Sequence, residues 1–327
     1  MLNLLNFKNY KKENVLSLYK MWNDEYGFIF NITEGLFKRN TYGTPGFLEE
    51  NSFVAIEDNE PVGFIISKVW DYPMYQESFQ GIGWISLIFV KKEYRNRGIG
   101  STLLDEATNG FKQLGITKLY LGKDYQNFFP GLPKDLKSNG AWFSKRGFEA
   151  LYETNDLINL NPQGFTASLK EYHDNREYNI HLACEKDFPR MQKFFEESFP
   201  GRWVVEFLDY VKYGGNGNEF LICTNSLQEV VGFCRLGTNE TPIEQIGFSL
   251  TWRAKPSFVK LGGLGPLGVS KDYRHNNIAY NLLITGLMEL KKRGCHEAII
   301  DWTNLLDFYR MFGFELWKTY IYTQKNL

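Results

Sequence analysis

Cysteine is scarce in this 327-residue chain: Cys184, Cys223, Cys234 and Cys295 all lie in the second half, and no two form a C-x-x-C pair. A disulfide framework and a zinc knuckle are thereby excluded, and the four thiols read as reduced core residues. Histidine is as sparse. His173, His181, His275 and His296 are scattered without the spacing that sets two ligands on one helical face, so no metal is expected. Charge of one sign is missing too: 37 Lys and Arg stand against 38 Asp and Glu, a net charge of -1 that gives no general attraction to nucleic acid or anionic lipid. There is no apolar run of membrane-spanning length. Residues Met1 to Lys12 alternate apolar positions with Asn, Lys and Tyr and lack a signal peptide's apolar stretch, so a cytoplasmic location without a membrane partner is expected.

What is present is 43% hydrophobic and 17% aromatic sequence, enough for two domains each with its own core. The chain also repeats itself. Tyr94-Arg95-Asn96-Arg97-Gly98-Ile99-Gly100 aligns with Tyr273-Arg274-His275-Asn276-Asn277-Ile278-Ala279 at an offset of 179 (273 − 94). The same offset carries Leu103-Leu104 onto Leu282-Leu283 and Gly115 onto Gly294. Upstream, Val62-Gly63-Phe64 matches Val231-Gly232-Phe233; downstream, Gly147-Phe148-Glu149 matches Gly313-Phe314-Glu315. One fold is used twice. The expected domains are 1–160 and 178–327, joined by a linker over 161–177 that contains Asn-Pro, Gly and mixed charges.

Each half predicts the same elements. Helical segments over 11–26 and 187–199 precede a hairpin, which in the first half turns at Asp58-Asn59 between runs at 52–56 and 62–69 and in the second joins 220–223 to 230–235. A further apolar strand covers 84–90. Ile99, Leu103, Leu104, Ala107 and Phe111 share one helical face, as do Ile278, Leu282, Leu283, Leu287 and Leu290, and both helices close at a glycine. A short strand (118–121; 298–301) and a short amphipathic helix ending at Gly-Phe follow.

Between the apolar strand and the long helix, Arg95 to Gly100 form a turn whose backbone N–H groups, glycines and arginines suit a pyrophosphate at a helix N-terminus. With that loop, the helix after it and the closing Gly-Phe, the chain resembles the GCN5-related N-acetyltransferase (GNAT) family over essentially its whole length, twice, as in tandem members such as mycothiol synthase. The resemblance implies an α/β (α+β) fold of two tandem GNAT domains, each a mixed, mostly antiparallel sheet flanked by helices. It implies acetyl-CoA as acetyl donor, with no metal. Its pyrophosphate would sit on Arg95, Asn96, Arg97, Gly98, Ile99 and Gly100, or on Arg274, Asn277 and Ala279 in the second half. The pantetheine would run along a splayed strand, Leu87, Ile88, Phe89 and Val90 or Leu267, Gly268 and Val269.

The halves depart from the family pattern in opposite ways. Asn277 replaces the first loop glycine, and Asn tolerates positive φ better than most residues. The family's tyrosine, which protonates the leaving thiolate, is Tyr309 in the second half and Phe143 in the first. By sequence the first half has the better coenzyme loop and the second has the acid. Candidates for base or amine anchor are Asp24 and Glu25, with Glu196 and Glu197 in the second half, although solvated helix charge is the simpler account of all four. The first half also carries an insertion with Phe128-Phe129-Pro130-Gly131-Leu132-Pro133, expected beside the thiol end, either shaping the acceptor pocket or docking the halves.

The expected reaction is acetyl transfer to the amine of a small molecule, an amino sugar, aminoglycoside-like compound or polyamine, by direct attack on the thioester, in a monomer or homodimer. Two alternatives stay open: an acyl-CoA-binding regulator or structural pseudo-enzyme, and an aminoacyl-tRNA-dependent transferase of tandem shape, against which the loop and the lack of a basic insertion argue.

Overall fold

A computed structural model describes residues 2–10, 14–136, 139–160, 177–245 and 260–327. The chain divides into two compact units. Of the described residues, unit 1 gathers those up to Thr154 together with Lys318–Leu327, and unit 2 gathers those from Asn155 to Trp317. The boundaries expected from the sequence are therefore crossed twice: residues 155–160 belong to unit 2 and residues 318–327 to unit 1. Strand alternation shows which face a residue takes but not which distant strand it pairs with. The expected linker, apart from Glu177, lies outside the described residues.

Unit 1 runs β1 (Asn3–Asn6), α1 (Val15–Tyr26), α2 (Glu34–Arg39), β2 (Phe53–Glu57), β3 (Glu60–Val69), α3 (Gln76–Phe79), β4 (Ile82–Val90), α4 (Ile99–Gln113), β5 (Lys118–Leu121), β6 (Leu132–Pro133), α5 (Asn139–Ser144) and the first part of β7 (Glu149–Asn159). Unit 2 takes the rest of β7, then β8 (Asn179–Leu182), α6 (Phe188–Ser198), α7 (Arg202–Lys212), β9 (Phe220–Thr224), β10 (Val230–Thr238), β11 (Leu261–Val269), α8 (Ile278–Lys292), β12 (Glu297–Thr303) and α9 (Leu306–Arg310). The last strand, β13 (Glu315–Asn326), returns to unit 1, where it pairs antiparallel with β5 and β6.

Strand order in unit 1 is β1-β2-β3-β4-β5-β13, and in unit 2 it is β8-β9-β10-β11-β12-β7. Among the described residues the parallel pairings are β4 with β5 and β11 with β12; the others are antiparallel. The hairpin at Asp58-Asn59 uses two positive φ values, 51° and 67°, the geometry that matches strand twist. Helices α4 and α8 each bury the predicted stripe in their own unit's core. Their caps are satisfied alike. Gly115 (φ 73°) and Gly294 (φ 79°) take the left-handed conformation, so the N–H of Ile116 reaches the Phe111 carbonyl and that of Cys295 the Leu290 carbonyl.

Cys223, Cys234 and Cys295 are core residues, and burial pushes their thiols up to about 12, 12 and 11. Cys184 is exposed, which corrects its reading as core: it follows strand β8 at the start of a turn.

Candidate active site

In each unit the parallel pair separates partway and leaves a wedge. Strands β4 and β5 pair only from Ile82↔Lys118 to Ile85↔Leu121. The N–H of Gly122 then closes a last bond to the Ile85 carbonyl at 2.9 Å, and its φ of 63° turns the chain away. On the other side β4 carries an extra residue, Ser86, where the register with β3 shifts. Unit 2 repeats this: β11 and β12 pair from Leu261↔Glu297 to Gly263↔Ile299, and the register of β11 with β10 shifts between Leu264 and Leu267.

Below each wedge lies the anion loop. Gly98 (φ 83°) and Asn277 (φ 58°) both stand left-handed immediately before the 15-residue helices α4 and α8, so asparagine reproduces the glycine's conformation. Neither helix has a side-chain cap. The first helical bonds are Thr102 N–H to Gly98 and Asn281 N–H to Asn277, which leaves the N–H groups of Ile99, Gly100 and Ser101, and of Ile278 and Ala279, without helical acceptors. Such N–H groups, at the positive end of the helix dipole, fit a pyrophosphate.

The loops differ in charge. In unit 1, Arg95 is bound to Glu25, whose carboxylate also accepts from the Lys92 N–H, and Arg97 is bound to Glu57 at 2.6 Å. Arg95 Nε donates to the Val90 carbonyl, so this arginine braces the loop. The equivalent Arg274 reaches the Val269 carbonyl at 3.4 Å and, among the described residues, has no carboxylate partner. The loop that looked weaker in sequence is the one whose cation is not neutralised.

The wedges differ as much. That of unit 1 is a cavity of about 110 Å3 walled by Ser86, Leu87, Ile88, Phe89 and Val90, by Trp22, Tyr26 and Arg95, and by Phe143. The insertion singled out above forms part of its wall: Phe129, Gly131, Leu132 and Pro133 line it, and Phe129 packs edge-on against Phe30 and near Trp22 and Tyr320. A buried ion pair anchors the segment that leads into the insertion. Lys68 Nζ lies 2.7 Å from Asp124 and 3.2 Å from the Gln126 carbonyl, Ser86 Oγ donates to the same carboxylate, and Lys68 and Asp124 are 2% and 1% exposed. Burial pulls the Lys68 ammonium down from its ordinary value, against the opposing pull of Asp124.

In unit 2 the cavity is about 380 Å3 and carries ionisable groups: Arg202, Glu206, Asp301 and Tyr309, with Trp203 and Trp302. Helix α7 supplies Glu206, which is 5% exposed and contacts Arg202 at 2.8 Å and Arg235 at 3.7 Å. Burial pushes its carboxyl up to about 7, although both arginines pull it down. Tyr309 from α9 is 7% exposed, and no described residue hydrogen-bonds to its hydroxyl. Burial, with the nearby Cys234 and Asp301, pushes that hydroxyl up, so it stays protonated.

Of the expected site residues, Ile88, Phe89, Val90 and Arg95 line one wedge and Leu267 and Tyr309 the other. Gly268 and Val269 lie outside the lining: the Phe199 ring sits where a side chain at Gly268 would begin, within 2.7 Å. Asp24 is exposed and off the wedge, and Glu25 serves Arg95. Glu196 and Glu197 are exposed, facing Gln192 and Lys193. Glu206 and Asp301 were missed. The sequence signal for Glu206 was an acid on an otherwise apolar helical face, with Trp203, Phe207 and Tyr210 at helical spacing beside it.

The sequence profile of the acetyltransferase (GNAT) family matches residues 15–129 and 171–314, and the chain belongs to that family as a tandem member. No curated protein matches the chain. Among solved structures, it is similar to a GCN5-related glucosamine N-acetyltransferase region of a fungal multi-domain GH3 beta-N-acetylglucosaminidase, at 21% identity and a TM-score of 0.82, over 99% of this chain and 38% of that one. The chain thus spans well under half of that protein. It is also similar to a tandem GNAT protein from the clavulanic acid biosynthesis pathway, at 11% identity and a TM-score of 0.69, over 100% and 98% of the two chains. A GCN5-related N-acetyltransferase from Sphaerobacter thermophilus matches at 14% identity and a TM-score of 0.59, over 84% and 80%. These likenesses concern the fold.

Among the described residues, no helix is long and apolar enough to cross a membrane, and no group of three or more His, Cys, Asp or Glu gathers as a metal site.

Proposed function

We propose that the chain is an acetyl-CoA-dependent N-acetyltransferase for a small amine, with the chemistry in unit 2, and that an amino sugar is the acceptor to test first. The observation that carries this reading is the joint presence, in one wedge, of a protonated Tyr309 hydroxyl with no hydrogen-bond partner among the described residues and a buried Glu206 whose carboxyl is pushed up to about 7. The glucosamine-acetylating likeness supports the acceptor class.

Acetyl-CoA supplies the activated thioester. The N–H groups of Ile278 and Ala279, with Arg274, would hold its pyrophosphate. Strand β11, freed from β12 beyond Gly263, offers backbone groups to the thioester arm. The amine must arrive neutral, and Glu206 accepts its proton; a carboxylate near about 7 is matched to that task at neutral pH. Tyr309 Oη donates to the departing sulfur. The Arg202 and Arg235 guanidiniums stabilise Glu206 as an anion before it takes the proton. For unit 1, the observations favour a structural role: Phe143 has no proton to give, the loop cations are paired, and the cavity, walled in part by the insertion, is about 110 Å3 against about 380 Å3 in unit 2.

The test is turnover of acetyl-CoA with glucosamine, followed by free thiol release. Tyr309→Phe should lower kcat by roughly 10-fold to 100-fold and leave folding intact. Unchanged kcat in Tyr309→Phe and in Glu206→Gln would return the chemistry to unit 1.

A further inference from the structure

Strand β12 carries an irregularity that ordinary pairing does not need. Its register with β7 runs Ala298↔Asn159, Ile299↔Ile158, Ile300↔Leu157 and then Thr303↔Asn155. Three steps along β12 thus match two along β7, so Asp301 and Trp302 together oppose Asp156. Trp302 pays for this with a φ of 51°, a conformation that a bulky aromatic residue rarely adopts. Its N–H, turned out of the ladder, donates to Asp156 Oδ1 at 3.0 Å, and Asp156 is fully buried. A buried carboxylate thus holds a strained backbone in place.

The bulge re-aims two side chains into the cavity. Asp301 and Trp302 both line it. Asp301 Oδ1 stands 3.3 Å from where a Cβ on Gly265 would be, so the opposite strand leaves room for the carboxylate. The Arg202 guanidinium lies 4.1 Å from the Trp302 ring centroid and donates to Glu206 at 2.8 Å, which ties the indole to the proposed base. Bulges beside functional sites commonly redirect side chains, and backbone strain persists where its surroundings enforce it.

We infer that the Asp156-locked bulge is a specificity device: it presents the Trp302 indole as a platform for the apolar face of a pyranose ring and Asp301 as a partner for that ring's polar groups, so that the acceptor is a cyclic amino sugar. This rests on the acetyl-transfer reading of the same wedge. Indole edges and faces suit such a ring, which is apolar across its C–H face and polar at its rim. Asp156 is a positioning residue, acting through Trp302.

The experiment compares Trp302→Gly, Trp302→Ala and Asp156→Asn with the parent in calorimetric glucosamine binding, and in kcat/KM for glucosamine and for acyclic ethanolamine. Both Trp302 variants should lose kcat/KM for glucosamine at least about tenfold more than for ethanolamine, mostly through KM. Trp302→Gly should melt above Trp302→Ala, because glycine adopts positive φ without strain. Asp156→Asn keeps an acceptor oxygen and should retain the sugar preference. Equal losses on both acceptors, or a glycine variant melting below the alanine one, would overturn the platform and leave acetyl transfer standing. Glucosamine that binds and is weakened by Trp302→Ala, yet is never acetylated, would sustain the platform and overturn the acetyl-transfer reading. A protein that neither binds nor acetylates glucosamine overturns both.

Discussion

Glu206 should make stability and activity titrate in opposite directions. Its carboxyl sits at about 7 in the folded chain against 4.5 for an ordinary glutamate, with burial as the largest cause. Below the ordinary value both folded and unfolded chains hold the proton, and its full contribution is present. As pH rises, the unfolded chain releases the proton first, so folding loses free energy until the folded carboxyl ionises near about 7. Integrating that difference between about pH 5 and about pH 8 gives a loss of roughly 2 to 3 kcal/mol from this one group. Glu206→Gln removes the titration and keeps the side chain's shape. Urea unfolding of the parent and the variant across that range should therefore yield a stability difference that falls by this amount, while kcat/KM of the parent rises through about 7 as the base ionises. A difference that stays flat within about 0.5 kcal/mol would refute the elevated carboxyl and with it the assignment of Glu206 as the proton acceptor.

Two further perturbations separate the units. Lys68→Met leaves Asp124 buried without its cation, and unit 1 should lose about 3 to 5 kcal/mol, read as a lower urea midpoint; a loss under about 1 kcal/mol would show that the insertion is not held by this pair. A tryptophan at either loop position strains the left-handed backbone and fills the approach to the helix N-terminus. Turnover should fall at least about tenfold further in Asn277→Trp than in Gly98→Trp, since the N–H groups beyond Asn277 are assigned to the reacting coenzyme. The reverse order would place the chemistry in unit 1.

The fold was legible because its signals are local. A helical stripe ending in glycine gives α4 and α8, repeated at an offset of 179, and the hairpins repeat through Val62-Gly63-Phe64 and Val231-Gly232-Phe233 at an offset of 169 (231 − 62). The assignment of the ends of β7 and β13 to different units was not legible, since nothing local in either strand names the distant strand it pairs with. The loops were legible in shape but not in strength. Asn277 does what Gly98 does for the backbone, whereas the carboxylates that neutralise Arg95 and Arg97 come from Glu25 and Glu57, 70 and 40 residues upstream.

The site itself shows why motif quality is a poor guide to which copy reacts. Unit 1 has the glycines of its loop, yet its wedge is a small cavity walled in part by Phe129 and Phe143, and its loop cations are paired with Glu25 and Glu57. Unit 2 lost a glycine at little conformational expense, because asparagine is among the few residues at ease at φ 58°. Its distinctive features lie elsewhere: a buried acid on α7 meets, in one cavity, a bulge in β12 and a tyrosine on α9 from about a hundred residues further along the chain. Each is locally unfavourable: a carboxyl out of water, a buried hydroxyl with no partner among the described residues, a tryptophan at positive φ. Selection for stability alone would remove such features one by one, and their convergence on a single wedge argues that this wedge is where the chain works.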